Sequence, residues 1–334
     1  MRAPTRASFL PLLLAFVVAS PALAATRPPR DEVAAVAGVI EANYFDAGRA
    51  RRIADDLRAA ASRGEFDSLA APSDLAAALT ARLRPLDGHF KVTVPDGLAP
   101  TGAGRDPAAG PIRMRSPGPG APPPDLADDN PVAAVEVLDG NIGYLRLDHF
   151  ADVAQPEAPA RRALDAALHR LADTSALIID LRGGHGGSPA MVGYLASAFV
   201  APGADVYNVF HSREGSRSEA PSQTHAKPRT EVPLYVLTDS HDRSAAESFA
   251  YTLKSAGRAT LVGERTEGAA NPGREFLAGD GLAVFVSTAT PVNPFTHANW
   301  EGQGVMPDVA VPAPQALDTA LTRIRKAAAR ATSK

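Results

Sequence analysis

An α/β layered core preceded by a small helical unit is the fold class that this sequence predicts. Three observations predict it. From Val132 onward, short apolar runs alternate with amphipathic helical segments, the pattern of strands joined by covering helices. One run, Leu177-Ile-Ile-Asp180, is apolar enough for a central strand covered on both faces. Another, Leu234–Thr238, leads through Asp239, Ser240, His241 and Asp242 into Ser244, where apolar residues begin to recur at helical spacing.

In chain order, residues 1–24 carry the features of a secretory signal peptide. Arg2 and Arg6 precede an apolar segment from Phe9 to Val18, and Ala22-Leu23-Ala24 fits a small-x-small cleavage site. The segment is short for a bilayer span. Cleavage removes two arginines and no acid, taking the formal charge from -3 to -5. An exported protein, periplasmic or secreted, with no membrane span after cleavage is the expectation. Residues 25–94 read as a helical unit ending in a strand. Val33, Val36, Ile40 and Tyr44 share one side of a first helix, and Ile53 and Leu57 one side of a second. A third runs to Leu83 with Ser73 as its N-cap. Asp87-Gly88 is a turn signal before an alternating strand, so His89 stands at a strand mouth. Residues 95–131, with Ser116-Pro-Gly-Pro-Gly-Ala-Pro-Pro-Pro124, read as a Pro/Gly-rich linker.

Residues 132–334 form the α/β core. Val132–Leu138 and Asn141–Leu147 are strands turned at Asp139-Gly140, followed by a helix over Glu157–Leu171 and a strand at Ala176–Leu181. Arg182-Gly-Gly-His-Gly-Gly-Ser188 then opens a helix that runs to Val200. These glycines match neither the phosphate-loop spacing nor Gly-x-Gly-x-x-Gly. They suit an oxyanion-binding turn, with a purely structural turn as the plain alternative. Ser244 lies where the first N–H groups of a helix have no internal partner, an environment that favours negative charge. It reads either as a nucleophile or as an N-cap completed by Glu247. Further strands are expected at Ala259–Glu264 and Leu282–Thr288, and a last helix at Ala316–Ala328. Between them, Trp300-Glu-Gly-Gln-Gly-Val-Met-Pro-Asp308 makes a dense loop that carries Glu301.

Composition narrows the function classes. At 45% hydrophobic and 21% charged the chain is an ordinary globular protein. A charge of -3 with no basic run gives no reason to expect nucleic acid. The absence of cysteine removes disulfides and thiolate chemistry. His211, His225, His241 and His297 lack metal-ligand spacing, so no metal and no cofactor is expected.

Five segments together resemble the C-terminal processing (tail-specific) family of serine peptidases. They are Asn141-Ile-Gly-Tyr-Leu145, Leu177–Gly187, Arg243-Ser-Ala-Ala-Glu247, Val262-Gly-Glu-Arg-Thr266 and Glu301–Asp308. The helical unit and Asp87-Gly88-His89 resemble the branch that includes interphotoreceptor retinoid-binding protein and the tricorn core. The resemblance implies a ClpP/crotonase-like core with Ser244 as nucleophile. Tail-specific members pair the serine with a lysine, and Ala269 stands where that lysine would be, so a Ser–Lys dyad is not expected. Tricorn-like members use a histidine and a glutamate at places matched by His89 and Glu301, although Gly88 replaces the serine that precedes the histidine there. The amides of Ala245 and of Gly186 or Gly187 would hold the oxyanion. The segment 95–131 is too short and too poor in apolar periodicity for the PDZ module of tail-specific members.

The expected function is thus an exported serine-type peptidase acting on peptides or unfolded protein. The alternative is a non-catalytic binding protein for retinoid-like or fatty-acid-like apolar ligands. A hydrolase of small acyl compounds on the same site is a third reading.

Overall fold

The computed structural model describes residues 27–95 and 130–332. The signal-peptide reading over 1–24 and nearly all of the Pro/Gly-rich segment lie outside them. In chain order the first elements are α1 (Pro29–Asn43), α2 (Ala47–Ser62), α3 (Pro72–Leu83), β1 (Lys91–Thr93), β2 (Val132–Leu138), β3 (Ile142–Leu147), α4 (Pro159–Arg170) and β4 (Ala176–Asp180). Then come α5 (Pro189–Ser197), β5 (Val209–Ser212), β6 (Gly215–Ser218), β7 (Leu234–Thr238), α6 (Ala245–Ser255) and β8 (Thr260–Gly263). The last are β9 (Gly273–Ala278), β10 (Leu282–Ser287), β11 (Ala289–Val292), β12 (Val309–Ala310) and α7 (Ala316–Thr332).

The central sheet has the order β12-β8-β7-β4-β3-β2. Only β2 and β3 pair antiparallel, and every other pairing is parallel. Side chains alternate across a strand, so Leu177 and Ile179 of β4 meet α4, α5 and α6 through Leu164, Leu195 and Phe249. Ile178 points the other way, into a cluster with Ala316, Ala320 and Ile324 of α7. With both faces covered, all five residues of β4 are buried, as its unbroken apolar run predicts. The parallel strands β4, β7 and β8 bring their carboxyl ends to one edge, where ligand crevices of such sheets form.

Two small sheets join this layer to the helical unit. One is β1-β10-β9, with Val92 opposite Val284. Its hairpin β9–β10 inserts Leu282, Val284 and Val286 among Val36, Ile40, Leu57 and Leu79. The other is β11-β5-β6. From its β5–β6 turn, the Arg213 guanidinium donates to the carbonyls of Tyr44 (2.7 Å), Glu41 (2.8 Å) and Ala42 (3.0 Å). It thereby satisfies carbonyls that the end of α1 leaves open. The helical unit therefore completes its core with residues more than two hundred positions downstream.

One local expectation is corrected. Ser73 is not the N-cap of α3: the cap is Ala71, with no side-chain bond, and Pro72 opens the helix. Proline has the φ of a first helical residue and no N–H to leave unpaired. Among the described residues no helix is long and apolar enough to cross a membrane.

Candidate active site

Ser244 sits six residues beyond the end of β7, at the head of α6, in an exposed position. Its φ of 55° and ψ of -117° put a non-glycine residue in a left-handed conformation, which costs on the order of 1–3 kcal/mol and persists only when its surroundings hold it. Glu247 does much of that holding. Its buried carboxylate accepts the N–H of Ser244 (3.0 Å), Gly268 (2.7 Å) and Ala269 (2.8 Å), and the Thr266 hydroxyl. The Glu247 half of a capping box is thus formed, and the same side chain clamps the segment after β8 beneath the serine.

The glycine turn after β4 lies directly against Ser244. A Cβ on Gly186 would fall 2.6 Å from Ser244 Cβ and 2.8 Å from its Oγ, so only glycine fits. Gly187 has a φ of 144°, and a Cβ there would strike the Phe150 carbonyl oxygen at 2.0 Å. The turn is pinned to Phe150, whose N–H donates to Gly186 O (3.2 Å) and whose carbonyl accepts from Ser188 N (2.7 Å). The amides of Gly186, Gly187 and Ala245 donate to no acceptor among the described residues. Asp242, fully buried, ties the turn to the loop ahead of Ser244 by accepting from Gly184 N (3.1 Å) and Asp239 N (3.0 Å). Burial, with the nearby charges of Asp239 and Asp180, outweighs these bonds and pushes its pKa up to about 9. Burial thus favours the protonated form of Asp242.

His89 comes from the other unit, held at the mouth of β1 by the pairing of Lys91 with Phe285. Its Nδ1 lies 3.1 Å from Glu301 Oε1 and 3.3 Å from Asp87 Oδ1. Asp87 also accepts the His89 N–H (2.9 Å), closing a turn, and Asn271 Nδ2 reaches its other oxygen at 3.4 Å. Glu301 is fixed in turn by the amides of Ala270 (2.8 Å) and Asn271 (3.0 Å). Burial disfavours the charged imidazolium, but the hydrogen bonds and charges of Asp87 and Glu301 prevail and raise the His89 pKa to about 10. Asp87 responds in the opposite sense: burial pushes it up, and the bonds and charge from His89 bring it down to about 2. Two carboxylates at Nδ1 require that nitrogen to carry a proton, which leaves Nε2 as the basic face of the neutral ring.

The segment Gly268–Asn271 links the two halves, its first two amides bound to Glu247 and its last two to Glu301. No hydrogen bond joins the Ser244 hydroxyl to the His89 ring among the described residues; such bonds are often long before substrate binds. Asp87, His89 and Glu301 also form a group of metal-ligating side chains, their donor atoms within 4.8 Å of one another. Imidazolium and carboxylate charges already oppose each other there, and we read an acid–base cluster.

Sequence reasoning missed Asp87, Asn271 and Asp242. Asp two residues before His is the spacing of an Asx turn, a signal that would have flagged Asp87. Gly88 leaves the path from His89 to Glu301 open: a Cβ there would lie 4.0 Å from Glu301 Oε1. The contact is direct, with no serine between.

Comparison with known proteins gives a consistent picture. The profile described as Peptidase family S41 matches residues 141–311, just over half of the chain. A carboxyl-terminal-processing protease of Synechocystis is 32% identical over 176 residues, 52% of this chain and 39% of that protein. The chloroplastic carboxyl-terminal-processing peptidase 1 of Arabidopsis thaliana is 31% identical over 170 residues, 50% of this chain and 33% of its own length. The chain therefore matches well under half the length of these curated relatives. A lipoprotein structure from Streptococcus agalactiae superposes with a TM-score of 0.53 at 14% identity, covering 90% of this chain and 98% of that one. At that identity the likeness concerns the fold alone, and it takes in the helical unit.

Proposed function

The chain belongs to peptidase family S41, and from that premise we propose that it is a serine peptidase whose nucleophile is Ser244. His89 Nε2 takes the hydroxyl proton as Oγ attacks the scissile carbonyl carbon. The oxyanion that forms is held by the amide of Ala245 and that of Gly186 or Gly187. Collapse breaks the C–N bond, and His89 returns the proton to the leaving amine. Water, deprotonated by the same nitrogen, then hydrolyses the acyl-enzyme. Glu301 keeps the ring's Nδ1 protonated and its Nε2 available. Substrates are peptides or unfolded protein segments, and residues 1–24 direct export.

The observation that carries this reading is the set of unsatisfied backbone amides beside a strained, exposed serine. Ala245 is buried, while Gly186 is half-buried and Gly187 exposed, so these amides are open to a substrate oxygen; removing one oxyanion donor costs about a hundredfold or more in rate. Electrostatics supports an alkaline enzyme. With the His89 pKa raised to about 10 by Asp87 and Glu301, the ring is mainly protonated at pH 7. Covering the cleft with substrate desolvates the imidazolium, the one influence that favours its neutral form.

The test is labelling with a fluorophosphonate probe, alongside Ser244→Ala and His89→Ala. Labelling of the parent above pH 8, lost in both variants, is the expected result. A folded parent that never labels would overturn the peptidase reading, and a fluorescent retinoid or fatty acid would then probe the binding-protein alternative.

A further inference from the structure

Arg161, in the first turn of α4, is only 8% exposed, yet it has no carboxylate at hydrogen-bond distance. The nearest, Asp165 Oδ2, lies 3.7 Å from its Nε, and the other oxygen of Asp165 takes the Tyr194 hydroxyl. Arg161 Nη1 donates to the Val153 carbonyl at 3.3 Å, while the buried Nε has no partner among the described residues. The guanidinium lies over the Tyr194 ring, its carbon 3.4 Å from the centroid, a contact that favours one placement of the group. A guanidinium brings five N–H donors, and this one is left largely unspent.

The cavity that Arg161 lines begins at Pro189 and Ala190, immediately after the glycine turn, and continues past Arg217 and Gln223. A second cleft shares Pro189 and Arg217 with it and extends to Pro272, next to the Asn271 that braces Glu301. Two adjoining clefts that share Pro189 and Arg217 therefore lead from Pro272 to a buried arginine with unused donors; Glu219, which lines the same cavity, is pushed up to about 7 by its burial. Planar, bidentate recognition by arginine is matched by a carboxylate.

We propose that this groove is a substrate subsite in which Arg161 receives a peptide carboxylate, either the free C-terminus or an Asp or Glu side chain. The proposal rests on the peptidase reading and names a substrate class for it. Arg217, exposed on β6, draws the same group toward the pocket.

The test measures binding of fluorescent peptides to full-length Ser244→Ala protein, so that no turnover is needed. One peptide pair differs in a free or amidated C-terminus, and a second in Glu or Gln within the chain. One member of a pair should bind about tenfold or more tightly, the scale of a charged hydrogen bond, and which pair responds identifies the carboxylate. Arg161→Gln should abolish the preference, and Arg161→Lys, which keeps the charge but loses the fork, should reduce it. Arg161→Lys also serves if the glutamine variant fails to fold. An undiminished preference in a folded Arg161 variant, or none in the parent, overturns the proposal. Fluorophosphonate labelling of the Ser244 protein is read separately: labelling without carboxylate preference removes only this subsite, and preference without labelling removes only the peptidase reading.

Discussion

The two halves of the candidate site are built in opposite ways. The Ser244 half is local: one strand, one elbow and one helix, braced by a glycine turn on the neighbouring strand and by Glu247 three residues on. The His89 half is assembled from residues 212 positions apart, held by an antiparallel pairing with β10 and by carboxylates from two loops. Local geometry can be strained and still survive, because the sheet beneath it is buried on both faces. Distant geometry depends on a small helical unit that completes its core only with the β9–β10 hairpin, and is the part of the site most exposed to disturbance.

This contrast can be broken from either side. The largest effect belongs to Ser244→Ala, which should lower kcat by about 10⁴-fold or more while leaving the melting temperature unchanged or raised, since alanine loses little at the elbow. Replacing the carboxylates acts on the other half. In the parent, kcat/KM should climb with pH toward about 10, where His89 loses its proton. Asp87→Asn and Glu301→Gln each remove a negative charge from Nδ1, so the climbing limb should move toward the ordinary histidine value near 6.5. Glu301→Gln should cost more rate at the plateau. A limb that stays in place in both variants would show that His89 is not the titrating base.

Leu282→Ala should cost about 2–5 kcal/mol, because Leu282 is only 1% exposed and lies in the core of the helical unit. Hydrogen exchange should then accelerate in α1 and α2 before it does in β4; simultaneous loss would mean that the halves unfold as one. The smallest effect concerns Asp242. An acid whose folded pKa is raised holds a proton that the unfolded chain has released, so its contribution to stability declines as pH rises from about 4 to about 9. Asp242→Asn should flatten that decline in urea melts; its amide keeps an acceptor for Gly184 N but turns an NH2 toward Asp239 N, so stability should also drop by about 1–3 kcal/mol at every pH.

The same contrast explains how much could be read from sequence. Ser244, Glu247 and the glycine turn were legible because strand–turn–helix junctions write themselves in local periodicity. The central strand β4 was legible for the same reason. The β11-β5-β6 sheet was not: its strands are four residues long, and Gly215–Ser218 of β6 are exposed throughout, so no apolar alternation marks them. Nor does composition show that the hairpin Gly273–Ser287 belongs to the helical unit's core, since a partner in space leaves no local trace. His89 and Glu301 stood out at a strand mouth and in a dense loop but took their roles only through family resemblance, and Asp87 was passed over although its Asx-turn spacing to His89 is a local signal.

The span from His89 to Glu301 also has a meaning in time. A ribosome that has released Ser244 still holds back β10 and the loop bearing Glu301, the parts that dock the histidine and orient it. Until those residues emerge and close over α1, the growing chain carries Ser244 without the ring that the proposed mechanism assigns as its base. Long-range closure is slow compared with local folding, so on the proposed mechanism hydrolysis waits until synthesis is complete.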